Sequence, residues 1–232
     1  MSVEQFRRRL DNGLTLLVER HPQAHTASFA LLLPLGAVTD PAPQRGLAAV
    51  TQELLFKGAG DWDAQALAHE IDRIGFQESH RAERELLAFS GTVLPQHLPR
   101  ALELVEAVLR RPRLPAAGLE EVRQLALHQL LSLEDAPAQK TFYELGQRFF
   151  PAPLSNPAEG TLETLRALTL DDATACFARY SPAGAILSVA GAVEFDALAR
   201  EVAERFGPWP AGPLAGRVGA AGERVPAAAG GA

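Results

Sequence analysis

The sequence predicts an α+β fold, a mostly antiparallel sheet with helices packed on one face. Three observations carry that reading. Apolar stretches of strand length come in adjacent pairs, amphipathic helical stretches follow them in groups, and the regular strand–helix–strand alternation of a doubly wound sheet is missing. The chain has 232 residues, of which 47% are hydrophobic, enough for one large core or two small ones.

Taken in order, "GLTLLVER" alternates in polarity and is rich in β-formers, and "ASFALLLPLGAV" is a more continuously apolar strand, so the two are expected to pair. A helix bounded by glycines follows, from about Gly46 to Lys57. In "DWDAQALAHEIDRIG" Asp61 or Asp63 stands as N-cap, Ala64, Leu67, Ala68, Ile71 and Ile74 recur at helical spacing, and Gly75 sits where a helix stops. "FQESHRA" and "ELLAFSGTVL" read as a second strand pair. Leu98, Leu102, Val105 and Leu109 form one helical stripe that Pro112 ends, and "LEEVRQLALHQLLSLEDAP" is a further helix. A helix in "AQKTFYELGQRFF" leads to the loop "PAPLSNPAEGT". Thr169 caps a helix in "LTLDDATACFARY" with Asp172 as capping-box partner, "AGAILSVAGAV" is a buried strand, and "EFDALAREVAERFG" is a last amphipathic helix. Residues 1–210 thus form the folded domain, and the Gly/Ala/Pro-rich residues 211–232 are expected to be a linker or tail.

Charge narrows the function. With 22% charged residues and a net charge of −6, the chain lacks the basic face that nucleic acid or an anionic membrane surface requires. The single cysteine, Cys176, rules out an intrachain disulfide framework and lies in a helical pattern that favours burial. The N-terminal stretch has no apolar core and no segment approaches 18 continuous apolar residues, so neither signal peptide nor membrane span is expected, and the cytoplasm is the expected location.

Local catalytic motifs are missing. His21, His25, His69, His80, His97 and His128 form no H-x-x-x-H, H-E-x-x-H or H-x-x-E-H, the helical spacings that bring two imidazoles to one face. His21 and His25 stand four apart, but Pro22 makes "HPQAH" a turn. His69, Glu70 and Asp72 project to different sides of their helix and read as a solvated polar face. No glycine-rich phosphate loop or G-x-S-x-G is present.

The order of segments says more than any one of them. Gly46-Leu47-Ala48 and Phe56-Lys57-Gly58 flank one helix. Glu134, Asp135 and Pro137 end another, and Pro157, Gly160 and Thr161 mark the long loop before "YSPAGAILSVAGAV". In this succession, over about residues 8 to 210, the chain resembles the N-terminal half of the pitrilysin and mitochondrial-processing-peptidase family of inverzincin zinc peptidases. The resemblance implies that family's metallohydrolase fold. It also places H-x-x-E-H in the helix between Gly-Leu-Ala and Phe-Lys-Gly, with two histidines on zinc and the glutamate as general base. Here the first histidine position is Ala49, the base position Gln52 and the second histidine position Glu53; the third ligand, a glutamate on the later helix, falls at Gln129.

The chemistry of those substitutions is unfavourable to catalysis. Ala49 has no donor atom, and neutral Gln52 cannot take a proton from water at neutral pH. Glu53 offers one carboxylate and Gln129 a weak amide oxygen, where catalytic zinc takes three good protein ligands. Val122, Leu125, Gln129 and Leu133 share a stripe, so Gln129 is expected to face inward and to bond Gln52 or Glu53, while His128 lies about 100° further round the helix and points away.

In the family, two similar halves or subunits close a chamber around an unfolded peptide, and a zinc-less subunit often partners a zinc-bearing one. The resemblance therefore implies a non-catalytic subunit of a heteromeric metalloendopeptidase, catalytically inactive alone. Its partner would be a paralogous zinc-bearing peptidase subunit, with zinc expected in that partner and none in this chain. The alternatives are a structural or peptide-binding protein without a protease partner, and a metalloenzyme in its own right. Residues 211–232 stand where the family's linker between halves would be, and the second half, which carries the family's Arg/Tyr pair, would follow it, which implies a piece of a longer protein or a short form.

Overall fold

A computed structural model describes residues 4–212; of the expected linker of residues 211–232, residues 213–232 lie outside the described residues. In chain order the elements are β1 (Glu4–Arg9), β2 (Thr15–Arg20), β3 (Ala27–Leu33), α1 (Leu47–Leu55), β4 (Gly58–Ala59) and β5 (Trp62–Asp63), then α2 (Ala64–Arg73), β6 (Gln77–Ala82) and β7 (Leu87–Val93). They continue with α3 (Leu98–Arg110), α4 (Ala116–Ser132), α5 (Pro137–Phe149), α6 (Leu162–Ala167), α7 (Leu170–Phe177), β8 (Ile186–Gly191) and α8 (Phe195–Phe206). Among the described residues no helix is long and apolar enough to cross a membrane.

Six strands form one sheet in the order β1-β2-β8-β3-β7-β6, and β4 and β5 make a separate two-stranded ribbon. Every neighbouring pair of the large sheet is antiparallel except β2 and β8. The fold class is therefore α+β with a mostly antiparallel sheet. Period-two alternation decides which face is covered. Leu16 and Val18, Ala27, Phe29, Leu31 and Leu33, and Leu187 and Val189 point into the core, whereas Ser28, Ala30, Leu32, Ile186 and Ser188 on the opposite face stay half or fully exposed. The core sits between the first face and the helices, with Leu54 and Leu55 of α1, Leu102 of α3 and Phe206 of α8 buried in it.

Several expectations are corrected by tertiary context. β2 and β3 do not pair with each other, because β8 lies between them and bonds to both. Thr15 opposes Ile186 on one side of β8 and Leu32 opposes Ile186 on the other, so a strand with both edges satisfied fills the slot between them. The strand beginning at Ala27 stops at Leu33 rather than reaching Val38. Pro34 has no N–H to give a ladder, and the chain turns instead into a single 3-10 turn at Ala37–Thr39. Strand β1 carries no apolar alternation and Arg7, Arg8 and Arg9 hide it; backbone pairing to β2 and the stack of Phe6 on Phe195, 4.7 Å between centroids, hold it in place. Helix α6 is another element the apolar pattern does not announce. It is six residues long and starts on a capping box of Thr161 and Thr164. Elsewhere the local signals match the structure: Asp63 caps α2 by accepting from the Ala66 amide at 2.8 Å, and Thr169 and Asp172 form the box that opens α7.

Candidate functional site

Helix α1 carries three of the four positions singled out above, and its placement is fixed from the N-terminal end. Gly46 stands at its N-cap with φ 88°, a conformation open to glycine at little cost, and so offers no capping side chain. Asp40, six residues earlier, supplies the cap instead. Its two oxygens accept from the amides of Gly46 at 3.0 Å and Ala48 at 3.1 Å. Burial pushes the Asp40 carboxyl up to about 7, against the pull of those amides and of the Arg179 guanidinium. Asn156 ties the same segment down by donating to the carbonyls of Ala37 and Asp40. Next to this cap the chain crosses itself at Gly46 and Gly160, where a Cβ on Gly46 would come within 2.9 Å of the Gly160 Cα.

The far side of α1 opens on a cavity of about 180 Å³. Ala49, Gln52, Glu53 and Gln129 all line it, together with Val122 and Ala126 of α4 and His80 of β6. The structure thus brings together in space the positions that the sequence assigned to one centre. Their environments differ from expectation in two respects. Gln52 is 1% exposed and gives its amide to the carbonyl of Ala88 at 3.0 Å, not to Gln129. Gln129 is solvent-exposed and Leu125 is 49% exposed; α4 is buried at Gly118, Leu119 and Val122, while Ala126, Leu127 and Leu130 further along pack on the core only partly buried. His128 is likewise exposed and does not line the cavity.

His80 is a feature of the cleft that the sequence did not disclose. It stands on a strand, 27 residues beyond Glu53, and no local spacing links the two. Period-two alternation puts Glu78, His80 and Ala82 on the face of β6 that looks toward α1. Nδ1 of His80 lies 3.0 Å from Glu78 Oε2 and Nε2 lies 3.3 Å from Glu53 Oε2, an ion-pair distance with an alignment outside that of a hydrogen bond. Burial alone would push the imidazole down; the carboxylates of Glu53 and Glu78 outweigh it and hold it at about 9.

Tested against a catalytic zinc, this donor set does not fit. Ala49 has no donor, the Gln52 amide is committed to Ala88, and Glu53 faces the His80 ring. In the position that the resemblance gives to the general base stands the Gln52 amide, which has no proton affinity to offer water.

The fold recurs in solved structures. The peptidase M16 inactive domain from Pseudomonas fluorescens superposes with a TM-score of 0.82 at 19% identity, over 92% of this chain and 52% of that one. An uncharacterized zinc protease of Mycobacterium leprae (strain TN) is 28% identical over 204 residues, 85% of this chain and 45% of its own length. The probable mitochondrial-processing peptidase subunit beta of Schizosaccharomyces pombe (strain 972) is 25% identical over 200 residues, 85% of this chain and 44% of its own. The chain therefore spans less than half the length of these two relatives. The family model for insulinase, peptidase family M16, matches residues 15–162, a span that contains β2, β3, α1, β6, β7, α4 and every residue named around the cavity. By that match the chain belongs to the insulinase family of peptidases, M16.

Proposed function

We propose that this chain is a pseudoenzyme of its family, the non-catalytic, zinc-free subunit of a heteromeric metalloendopeptidase that degrades peptides. The observation that carries the reading is the cavity itself: Ala49, Gln52, Glu53 and Gln129 converge as the frame of a metal site while supplying neither imidazole ligands nor a base. The neighbouring sheet edge supports a role in holding peptide. Among the described residues β6 pairs only with β7, which leaves its other edge beside the cavity for an extended chain to add as a strand. The partner in this reading is a paralogous subunit with an intact H-x-x-E-H, which brings the zinc and the base.

Co-expression with such a paralogue tests the proposal. The two chains are expected to co-purify, peptide hydrolysis is expected to require both, and this chain alone is expected to show no chelator-sensitive hydrolysis. Full activity of the paralogue without this chain overturns the reading. Capture of non-peptidase partners only would move it to a peptide-binding protein that works without a protease.

A further inference from the structure

Both nitrogens of the His80 ring face a carboxylate, Glu78 across 3.0 Å and Glu53 across 3.3 Å. A neutral imidazole has one N–H and would aim a lone pair at one of these anions. Only the doubly protonated ring sets an N–H rather than a lone pair beside both carboxylates, as a hydrogen bond to Glu78 and an ion pair with Glu53. Phe56 stacks on the same ring at 3.9 Å between centroids and 8° between planes, and an aromatic face favours a cation. Glu53 belongs to α1, whereas Glu78 and His80 belong to β6, so the ring joins the helix to the edge strand at the wall of the cavity.

We propose that His80 is the resident cation of this cleft, and that the Glu53–His80–Glu78 bridge both fastens α1 to β6 and keeps divalent metal ions out. A second cation placed at Glu53 would stand close to the imidazolium and would compete with it for the one carboxylate facing the cavity from α1. The other charged groups lining the cavity are Arg81 of β6 and Glu159 of the loop before α6; α4 contributes the uncharged Val122, Ala126 and Gln129. This goes beyond the non-catalytic reading, since it assigns what holds the cleft together, and it stands whether or not a peptidase partner exists.

Long-range 1H–15N spectra of the 15N-labelled chain test the proposal directly. At pH 7 both ring nitrogens of His80 are expected to carry protons, and excess zinc chloride is expected to leave the His80 signals unmoved. Glu53→Gln is expected to lower the ring's titration midpoint, because it removes one of the two anions. His80→Gln is expected to lower the melting temperature at pH 7 by on the order of 5 °C, two carboxylates being left without their common partner. A ring protonated on one nitrogen at pH 7, or a zinc-dependent shift of its signals, overturns the proposal. Should His80→Gln fail to fold, the wild-type and Glu53→Gln spectra decide the matter, and no readout depends on peptide hydrolysis.

Discussion

Gln52 fits its surroundings as an amide and would not fit them as a carboxylate. It is 1% exposed and donates to the Ala88 carbonyl, so a carboxylate there would meet that oxygen with a lone pair in place of an N–H. Gln52→Glu is accordingly expected to cost about 1–3 kcal/mol near neutral pH. The introduced acid would hold a raised value in the folded chain. Its penalty should therefore shrink as pH falls toward the ordinary glutamate range, where the unfolded chain also protonates. Urea unfolding at pH 7.5 and pH 5 measures the difference, and an equal loss at both pH values would count against this account. The neutral residue thus has a structural role in this fold, beyond the absence of a base.

At the scale of elements, α1 depends on a cap that lies outside it. Asp40→Ala removes the acceptor for the Gly46 and Ala48 amides, and is expected to cost about 1–2 kcal/mol and to speed hydrogen exchange in the first turn of α1. Unchanged exchange at Gly46 and Ala48 would show that the cap is dispensable. What was legible in the sequence follows the same division between local and distant causes. The Asp63 cap of α2, the Thr169–Asp172 box of α7 and the stripe of α3 are written in contiguous residues, and the structure repeats them. Strand β1 and the partners of β2 depend on backbone pairing across the sheet, which no local pattern encodes. The same limit governed the cavity. Ala49, Gln52, Glu53 and Gln129 could be placed by resemblance, whereas Asp40, Glu78 and His80 act through contacts made only once α1 and β6 are packed. The exposure of Gln129 was out of reach for a related reason, since its stripe is apolar in sequence but the cavity beside the second half of α4 leaves it open to solvent, with Ala126, Leu127 and Leu130 only partly buried.

For the whole molecule, His80 and Asp40, two perturbed groups beside α1, bias stability in one direction. His80 is held at about 9, above the ordinary histidine value of 6.5; its contribution is full below pH 6.5 and is lost as pH rises through about 9. Asp40 is raised from 3.8 to about 7, so its share is full below pH 3.8 and is lost as pH rises through about 7. The melting temperature is therefore expected to fall between pH 6.5 and pH 9, and the fall should be smaller in His80→Gln; calorimetry across that window checks both, and a flat wild-type profile contradicts them.

The position of β8 carries a consequence for how the chain comes into being. This strand is among the last elements in sequence yet lies inside the sheet, and Asn12 at the start reaches the carbonyl of Phe206, 194 residues on. As the polypeptide leaves the ribosome, the inner edges of β2 and β3 must wait unpaired until almost all of the domain has been synthesised. Closure over such a separation is slow. The hairpin of β6 and β7 and the helices around it have their partners much earlier, so assembly of the sheet is expected to end near the middle, with the arrival of one late strand.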